Sequence, residues 1–328
     1  MSVTPGLLFA GTPAVDPPGG LTYPLALRRE GFHGISSMFG ILIGFMAFAI
    51  FIPLASQLVQ RFGHLIRGGE WEQYQQAAQS YQLPEGPVAG HLALALLIPL
   101  SMLIVRFVHG VRPRWLASVQ PGVRWRYLLL MVIVAVVVLN AVLWLSYAAK
   151  GGPAFHGGQA GWVTYLALIV FTAPLQAAAE EVFFRGYVLQ AIGSAAGRTW
   201  VGVVGSSLLF ALMHGVQNPA LFAHRLAFGL VTGALVVLTG GLEAGIAAHA
   251  VNNVAAYAYA MFTTSVAELR AVRAISWSDA AWDIAGFALF AVVAWRIGLA
   301  MRLATRTPNT DWLPGSPRKT RVRRRPSP

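Results

Sequence analysis

Two adjacent glutamates, Glu180 and Glu181, follow an apolar run over residues 162–179 that contains no charged side chain. Ionisable side chains are expensive inside a membrane and usually serve a function there. Arg185 follows Glu181 by four residues, a spacing and order that favour an ion pair on one helical face. Glu180 points about 100° away from Glu181 on an α-helix, so it stays free to act as a general base. A solvated pair of carboxylates at the interface is the alternative interpretation.

Two later apolar segments each carry a pair of residues at a spacing of four, so that each pair shares one helical face. The first pair is Phe210 and His214, and the second pair is His249 and Asn253. Buried imidazole and amide groups need hydrogen-bond partners, so each pair taken alone could simply join two helices. Together with the glutamates, the two pairs predict one active-site constellation in an apolar setting.

The chain lacks the motifs of several other hydrolases. It contains no cysteine, which excludes a thiol nucleophile and thiolate metal sites. It also contains no His-Glu-x-x-His, Gly-x-Ser-x-Gly or Gly-x-Gly-Asp sequence, so zincin-type, serine-hydrolase and aspartyl chemistry have no support. Attack by water that a glutamate activates is the simplest chemistry left.

The composition is that of an integral membrane protein. Of 328 residues, 56% are hydrophobic and 11% are charged, and the mean hydropathy is +0.60; soluble domains carry about 25% charged residues. The apolar segments lack a strand-like alternation, so helices rather than a barrel must satisfy the backbone. We therefore predict an all-α polytopic integral membrane helical bundle with about eight transmembrane helices. The predicted spans are roughly 35–59, 87–105, 127–149, 162–182, 199–215, 221–239, 242–262 and 281–301.

Three regions are predicted along the chain. Residues 1–30 form a flexible leader, residues 31–303 form the helical membrane domain with a catalytic core at about 160–262, and residues 304–328 form a disordered basic tail. A short amphipathic surface helix is expected within residues 60–86, because its less polar side chains recur at helical spacing.

The basic residues predict the orientation in the membrane. With the N-terminus inside, eighteen lysines and arginines fall on the inner side and five on the outer side, which favours cytoplasmic termini for a multi-pass protein of the cell membrane. The same topology accounts for the net charge of +12. No nucleic-acid partner is expected, since no aromatic residues interleave the basic tail.

The ordered set Glu180-Glu181-x-x-x-Arg185, Phe210-x-x-x-His214 and His249-x-x-x-Asn253 resembles the CPBP intramembrane protease family. This family is also called Abi, and it groups CAAX proteases with bacteriocin-processing enzymes; its eukaryotic members include the type II CAAX prenyl endopeptidase. The resemblance covers about residues 160–262.

The resemblance implies an intramembrane endopeptidase that hydrolyses a peptide bond of a membrane-associated protein or peptide. It implies Glu180 as the catalytic base, His214 as its partner in activating water, and His249 with Asn253 as the oxyanion-stabilising pair. Glu181, Arg185 and Phe210 would be supporting residues.

Three alternatives stay open at this point. Glu180, His214 and His249 could ligate a zinc ion in a His₂Glu site, as the metalloprotease label of the family suggests, or a glutamate–histidine pair could activate water without a metal. The rival functions are a non-catalytic immunity or scaffold protein of the same fold and a proton-coupled transporter.

One expectation concerns depth. If the fifth span starts near Trp200 at the inner face, His214 lies about 21 Å further along that helix. Glu180 and His249 are expected closer to the inner face. Two changes would bring the three residues together: an earlier start of the fifth span, near Ala195, and a fourth span that continues as a helix beyond Glu181. We expect both.

Overall fold

The computed structural model describes residues 14–309, and within this range the secondary structure is helical with no β-strand. Two short 3₁₀ turns, Tyr23–Leu25 and Pro113–Leu116, precede and interrupt the helices. The α-helices are α1 (Gly34–Arg67), α2 (Trp71–Gln79), α3 (Glu85–Ala95), α4 (Leu97–Phe107), α5 (Trp125–Lys150), α6 (Trp162–Glu180), α7 (Leu189–Ala196), α8 (Thr199–Leu212), α9 (Pro219–Thr239), α10 (Glu243–Thr263), α11 (Val266–Ala271) and α12 (Trp277–Ala300). A π-helical segment, Glu181–Val188, joins α6 to α7.

The predicted all-α polytopic membrane bundle is confirmed, but the count of eight transmembrane helices is not. In residues 14–309, six helices are long and apolar enough to cross a membrane. They are Gly34–Arg67, Glu85–Phe107, Trp125–Lys150, Trp162–Ala196, Pro219–Thr239 and Trp277–Ala300. Helix α8 has only 14 residues and spans about 21 Å, less than the roughly 30 Å of hydrocarbon. Helix α10 is long enough but carries the polar residues of the predicted site.

The fourth predicted span continues far beyond Glu181, as expected, because α6, the π-helical segment and α7 form one apolar helix from Trp162 to Ala196. The expected earlier start of the fifth span is wrong. Gly197 adopts a left-handed conformation (φ +67°) that ends α7, as a C-terminal glycine commonly does. Arg198 is extended, and α8 begins only at Thr199.

The two ends of the described chain meet at one end of the bundle, which we call the chain-end face. Backbone hydrogen bonds join Gly20 N to Thr307 O and Thr307 N to Leu21 O, each at 2.8 Å. Tyr23 and Leu27 are fully buried. Parts of the predicted leader and tail therefore bond to each other, and Tyr23, Leu27 and Thr307 are buried. The rest of the predicted leader and tail, residues 1–13 and 310–328, lies outside the described part.

An acidic anchor fixes the N-terminal segment to this face. The Asp16 carboxylate accepts hydrogen bonds from Arg112, from Arg114 at 2.9 Å and from the Trp115 indole at 2.8 Å. Burial acts to raise the pKa of Asp16, but the Trp115 hydrogen bond and the two guanidinium groups outweigh it and hold the pKa below its ordinary value. The ionised carboxylate therefore stabilises this arrangement.

The opposite end of the bundle, which we call the mouth face, is built by loops that bond to one another. Gln159 N donates to Met261 O at 2.8 Å, and Asn218 N donates to Arg273 O at 2.9 Å. The surface helix expected within residues 60–86 is present here as α2, with Tyr74 and Ala78 as its buried side chains. Helices α1, α5 and α10 run from the chain-end face towards this face.

Candidate active site

Three elements bring the predicted site residues to a similar depth. Glu180 precedes Ala196 by sixteen residues and His214 follows Thr199 by fifteen, which places them about 24 Å and 22 Å from the chain-end face at 1.5 Å per residue. The turn before α10 packs against residues 117–119 and 304–305 near the chain-end face, and the side chain of Leu242 reaches inwards to Gly186. His249, on the second turn of α10, contacts both glutamates, so the depth mismatch expected from the sequence is not present.

The imidazole of His249 lies against both glutamates. Its Nδ1 is 2.9 Å from Glu181 Oε1 and its Nε2 is 3.5 Å from Glu180 Oε2. An ionised carboxylate only accepts hydrogen bonds, so the Nδ1–H of His249 donates to Glu181. Adjacent side chains diverge on an α-helix, yet these two glutamates meet one ring, because His249 inserts where α6 gives way to the π-helical segment.

Glu181 is paired with Arg185, as the spacing predicts. Arg185 Nη1 is 3.1 Å from Glu181 Oε1, and neither side chain has any exposed surface. The guanidinium carbon lies 4.0 Å from the ring centre of Phe210 and 5.3 Å from that of Phe228. One carboxylate oxygen of Glu181 therefore contacts both the buried guanidinium of Arg185 and the imidazole of His249.

The π-helical segment itself marks this region as unusual. Hydrogen bonds of the i→i+5 type are rare and occur frequently at functional sites. The segment is almost wholly buried, from Glu181 to Val188. Gly186 permits close approach, because a side chain there would meet Leu242 and the carbonyl of Leu116. The loop before α5 and the turn before α10 therefore both pack against this part of the helix.

His214 stands on the other side of the Phe210 ring. The two rings of this pair are 4.6 Å apart, which confirms that they share a face, and Phe210 also lies 6.2 Å from the His249 ring. His214 Nδ1 is 2.8 Å from the Phe210 carbonyl oxygen, so Nδ1 carries the proton and Nε2 is free to accept one. His214 also interacts electrostatically with Glu180.

Asn253 has a different partner from His249. Its amide nitrogen donates to Gln176 Oε1 at 2.9 Å, a hydrogen bond between α10 and α6. Gln176 lies one helical turn before Glu180 and is buried. The sequence analysis overlooked Gln176, although a glutamine inside a run without charges was a usable signal. The amide of Asn253 keeps a second N–H, so its predicted oxyanion role stays a prediction.

A cavity of about 780 Å³ connects His214, His249 and Asn253 to the mouth face, with Phe210 and Phe228 as apolar surface. Glu180 lies behind this wall, 3.5 Å from His249 Nε2. Residues from the mouth face line the same cavity: Tyr81, Val216, Arg225, Arg270 and Arg273. A smaller chamber of about 380 Å³ adjoins it and shares His224, Asn252 and Phe287 with it. The arrangement can hold a peptide segment beside a glutamate–histidine pair.

The proposed zinc ligands do not form a metal site in this geometry. A His₂Glu site needs both imidazole nitrogens and a carboxylate oxygen at about 2.0–2.2 Å from one point. In residues 14–309, no three His, Cys, Asp or Glu side chains are arranged to hold a metal ion. His249 Nδ1 is engaged by Glu181, and its Nε2 faces Glu180 directly. We therefore derive no chemical step through a metal.

Comparisons with known proteins agree with the motif-based resemblance. Residues 161–255 match the family described as type II CAAX prenyl endopeptidase Rce1-like. The chain is also 31% identical over 178 residues to the uncharacterized protein YyaK of Bacillus subtilis (strain 168), which covers 50% of this chain and 57% of that protein. No solved structure matches the chain significantly. The matched range contains every residue of the predicted site, so the predicted resemblance to the CAAX endopeptidase family is confirmed over this core.

Proposed function

We propose that this multi-pass membrane protein is an intramembrane endopeptidase of the CAAX-protease type, which hydrolyses a peptide bond of a membrane-associated protein or peptide. The observation that carries the proposal is the position of His249, which lies between the fully buried Glu181 and the slightly exposed Glu180 at the wall of a cavity large enough for a peptide segment. Ionisable side chains inside an apolar bundle are energetically costly, and such clusters usually mark a functional site.

The two glutamates divide the work. Glu181 accepts the Nδ1–H of His249 and so fixes the tautomer and orientation of the ring, as a buried carboxylate does for a catalytic histidine. Glu180 has no guanidinium partner among the described residues, and its side chain is 13% exposed. Glu180 therefore takes a proton from the attacking water as the general base, and no enzyme nucleophile is required.

His214 and Asn253 complete the site from the two neighbouring helices. His214 Nε2 is free to accept or return a proton near Glu180, because its Nδ1–H is held by the Phe210 carbonyl. Asn253 is fixed by Gln176, and its remaining N–H can donate to the oxygen that becomes negative when water attacks. His249 gives its Nδ1–H to Glu181, so it adds a donor to this oxygen only when its Nε2 also carries a proton.

The test compares membranes that contain the native protein with membranes that contain the Glu180→Gln variant. New protein termini are measured by mass spectrometry, and the inactive variant is used in parallel to trap bound substrates. Glu268→Gln is the matched control, because Glu268 is an exposed carboxylate on α11. The proposal expects cleavage products with the native protein and the control but not with Glu180→Gln. Identical termini in all three membranes, with equal amounts of protein, would reject a proteolytic function.

A further inference from the structure

The cavity of about 780 Å³ extends to the loops of the mouth face. On the mouth side it reaches loop residues such as Val216, which is 86% exposed, and Arg273. On the other side its floor is packed. Trp115 and Glu243 are buried there, and the Glu243 carboxylate is held by Arg124 with Nε 2.9 Å from Oε1. A substrate therefore reaches the site through the mouth face.

The depth of the site agrees with this direction of access. Glu180 and His214 lie about 22–24 Å from the chain-end face. Along α6, Glu180 lies eighteen residues, or about 27 Å, from Trp162 at the mouth face. On the α8 side the way is shorter, because α8 already ends at Leu212 and the exposed loop that holds Val216 follows His214 directly. A peptide segment therefore reaches the site beside this loop.

The charge distribution assigns the two faces to the two sides of the membrane. The chain-end face holds eleven arginines of the described residues, and the mouth face holds six basic residues. The first group is Arg28, Arg29, Arg106, Arg112, Arg114, Arg124, Arg126, Arg198, Arg296, Arg302 and Arg306. The second group is Arg61, Arg67, Lys150, Arg225, Arg270 and Arg273.

Two residues are assigned differently from the sequence-based totals of eighteen and five. Arg185 was one of the eighteen inner residues, but it is buried in the bundle. Arg225 was in neither total, and it belongs to the mouth face. The sequence beyond residue 309, outside the described part, contains six further basic residues. Since positive residues accumulate on the cytoplasmic side, the chain-end face is the cytoplasmic one.

We propose that the active site is open to the non-cytoplasmic side of the membrane and takes its substrates there. This inference rests on the proposed function for its chemistry, but the direction of the opening does not depend on it. The substrate class is then a peptide segment exposed outside the cytoplasm next to the bilayer, such as the exported tail or juxtamembrane segment of another membrane protein. Cytoplasmic C-terminal tails are excluded as direct substrates, because they face the packed floor.

The chain offers a clean test because it contains no cysteine. Ala274→Cys places a single thiol in an exposed loop of the mouth face, and Gln120→Cys places one in an exposed loop of the chain-end face. Intact cells are treated with a membrane-impermeant maleimide, before and after permeabilisation. The expected result is labelling of Ala274→Cys in intact cells and of Gln120→Cys only after permeabilisation. The reverse pattern would overturn the inference.

A second measurement separates this inference from the proposed function. Right-side-out and inverted vesicles receive a membrane-impermeant mixture of fluorogenic octapeptides, with Glu180→Gln vesicles as the blank. Cleavage in right-side-out vesicles alone supports both proposals, and cleavage in inverted vesicles alone overturns the direction of access. Absence of cleavage in either preparation counts against the proposed function, whereas the thiol labelling still decides the direction of the opening.

Discussion

One oxygen atom of Glu181 contacts both Arg185, which the fold buries, and His249 in the candidate site. Its Oε1 lies 3.1 Å from Arg185 Nη1 and 2.9 Å from His249 Nδ1, and its side chain is fully buried. Glu181→Gln removes the negative charge with almost no change in shape. The variant leaves Arg185 as a buried cation without a counter-ion, in contact with the rings of Phe210 and Phe228.

The expected loss of stability follows from this geometry. At 3.1 Å and an effective dielectric constant of about 20, the attraction between two unit charges is about 5 kcal/mol. Breaking a buried ion pair by removing one partner typically costs about 3–5 kcal/mol. The glutamine oxygen still accepts one hydrogen bond, so we expect a loss of about 3 kcal/mol in the free energy of unfolding. In a protein of 328 residues this loss lowers the unfolding temperature by about 4 °C.

The measurement is equilibrium unfolding in mixed micelles by titration with a denaturing detergent, followed through the ten tryptophans. The matched control is Glu180→Gln, which alters the neighbouring carboxylate but leaves the Arg185 pair intact. We expect the control to change the free energy of unfolding by less than about 1 kcal/mol, within the range of ordinary substitutions away from buried ion pairs.

A rescue variant decides whether the unpaired charge is the cause. Arg185→Met removes the cation and keeps an unbranched side chain that can pack against aromatic rings. If the buried charge explains the loss, Glu181→Gln combined with Arg185→Met is more stable than Glu181→Gln alone, because a well-packed apolar pair can replace a buried ion pair. The reasoning is refuted if the single variant unfolds like the native protein, or if the combination only adds a second loss.

Three further predictions concern the site, the anchor and the metal question. Asn253→Ala should lower turnover by about 10²–10³-fold with little change in KM, because it removes one oxyanion donor; steady-state kinetics on a cleaved peptide measure both. Because the pKa of Asp16 is lowered in the fold, its stabilising effect is present above about pH 4 and is lost as the pH falls through the folded pKa. The measurement is the free energy of unfolding of the native protein and of Asp16→Asn at several pH values below about 7. The difference between the two proteins should shrink as the pH falls. Elemental analysis of the purified protein should find no stoichiometric zinc; one bound metal that disappears together with activity in His249→Ala would support the His₂Glu site instead.

The sequence predicted those parts of the site that depend on helical periodicity. The spacing of Glu181 and Arg185 correctly predicts their ion pair, and the spacing of Phe210 and His214 correctly predicts their shared face. The low charge and high hydropathy correctly predict an all-α membrane bundle. These properties are local, so a single chain segment is enough to predict them.

The contacts of His249 and Asn253 could not be predicted in the same way. Their shared helical face suggested that both act on one oxygen, yet His249 meets the glutamates and Asn253 meets Gln176. Which neighbour each side chain reaches depends on the rotation of α10 against α6 and on the π-helical segment. Both are set by packing between distant segments, which the periodicity of one segment does not encode.

The depth of the site follows from one feature that the hydropathy of the chain conceals. Leu242 and Glu243 begin the predicted span 242–262, where side chains at the membrane surface are expected, but the structure buries both side chains. There Leu242 packs on Gly186, and Glu243 pairs with Arg124. A charged residue in a short turn normally indicates water. Here the carboxylate has a guanidinium partner, so it can be buried at the start of α10, and α10 presents His249 to Glu180 and Glu181.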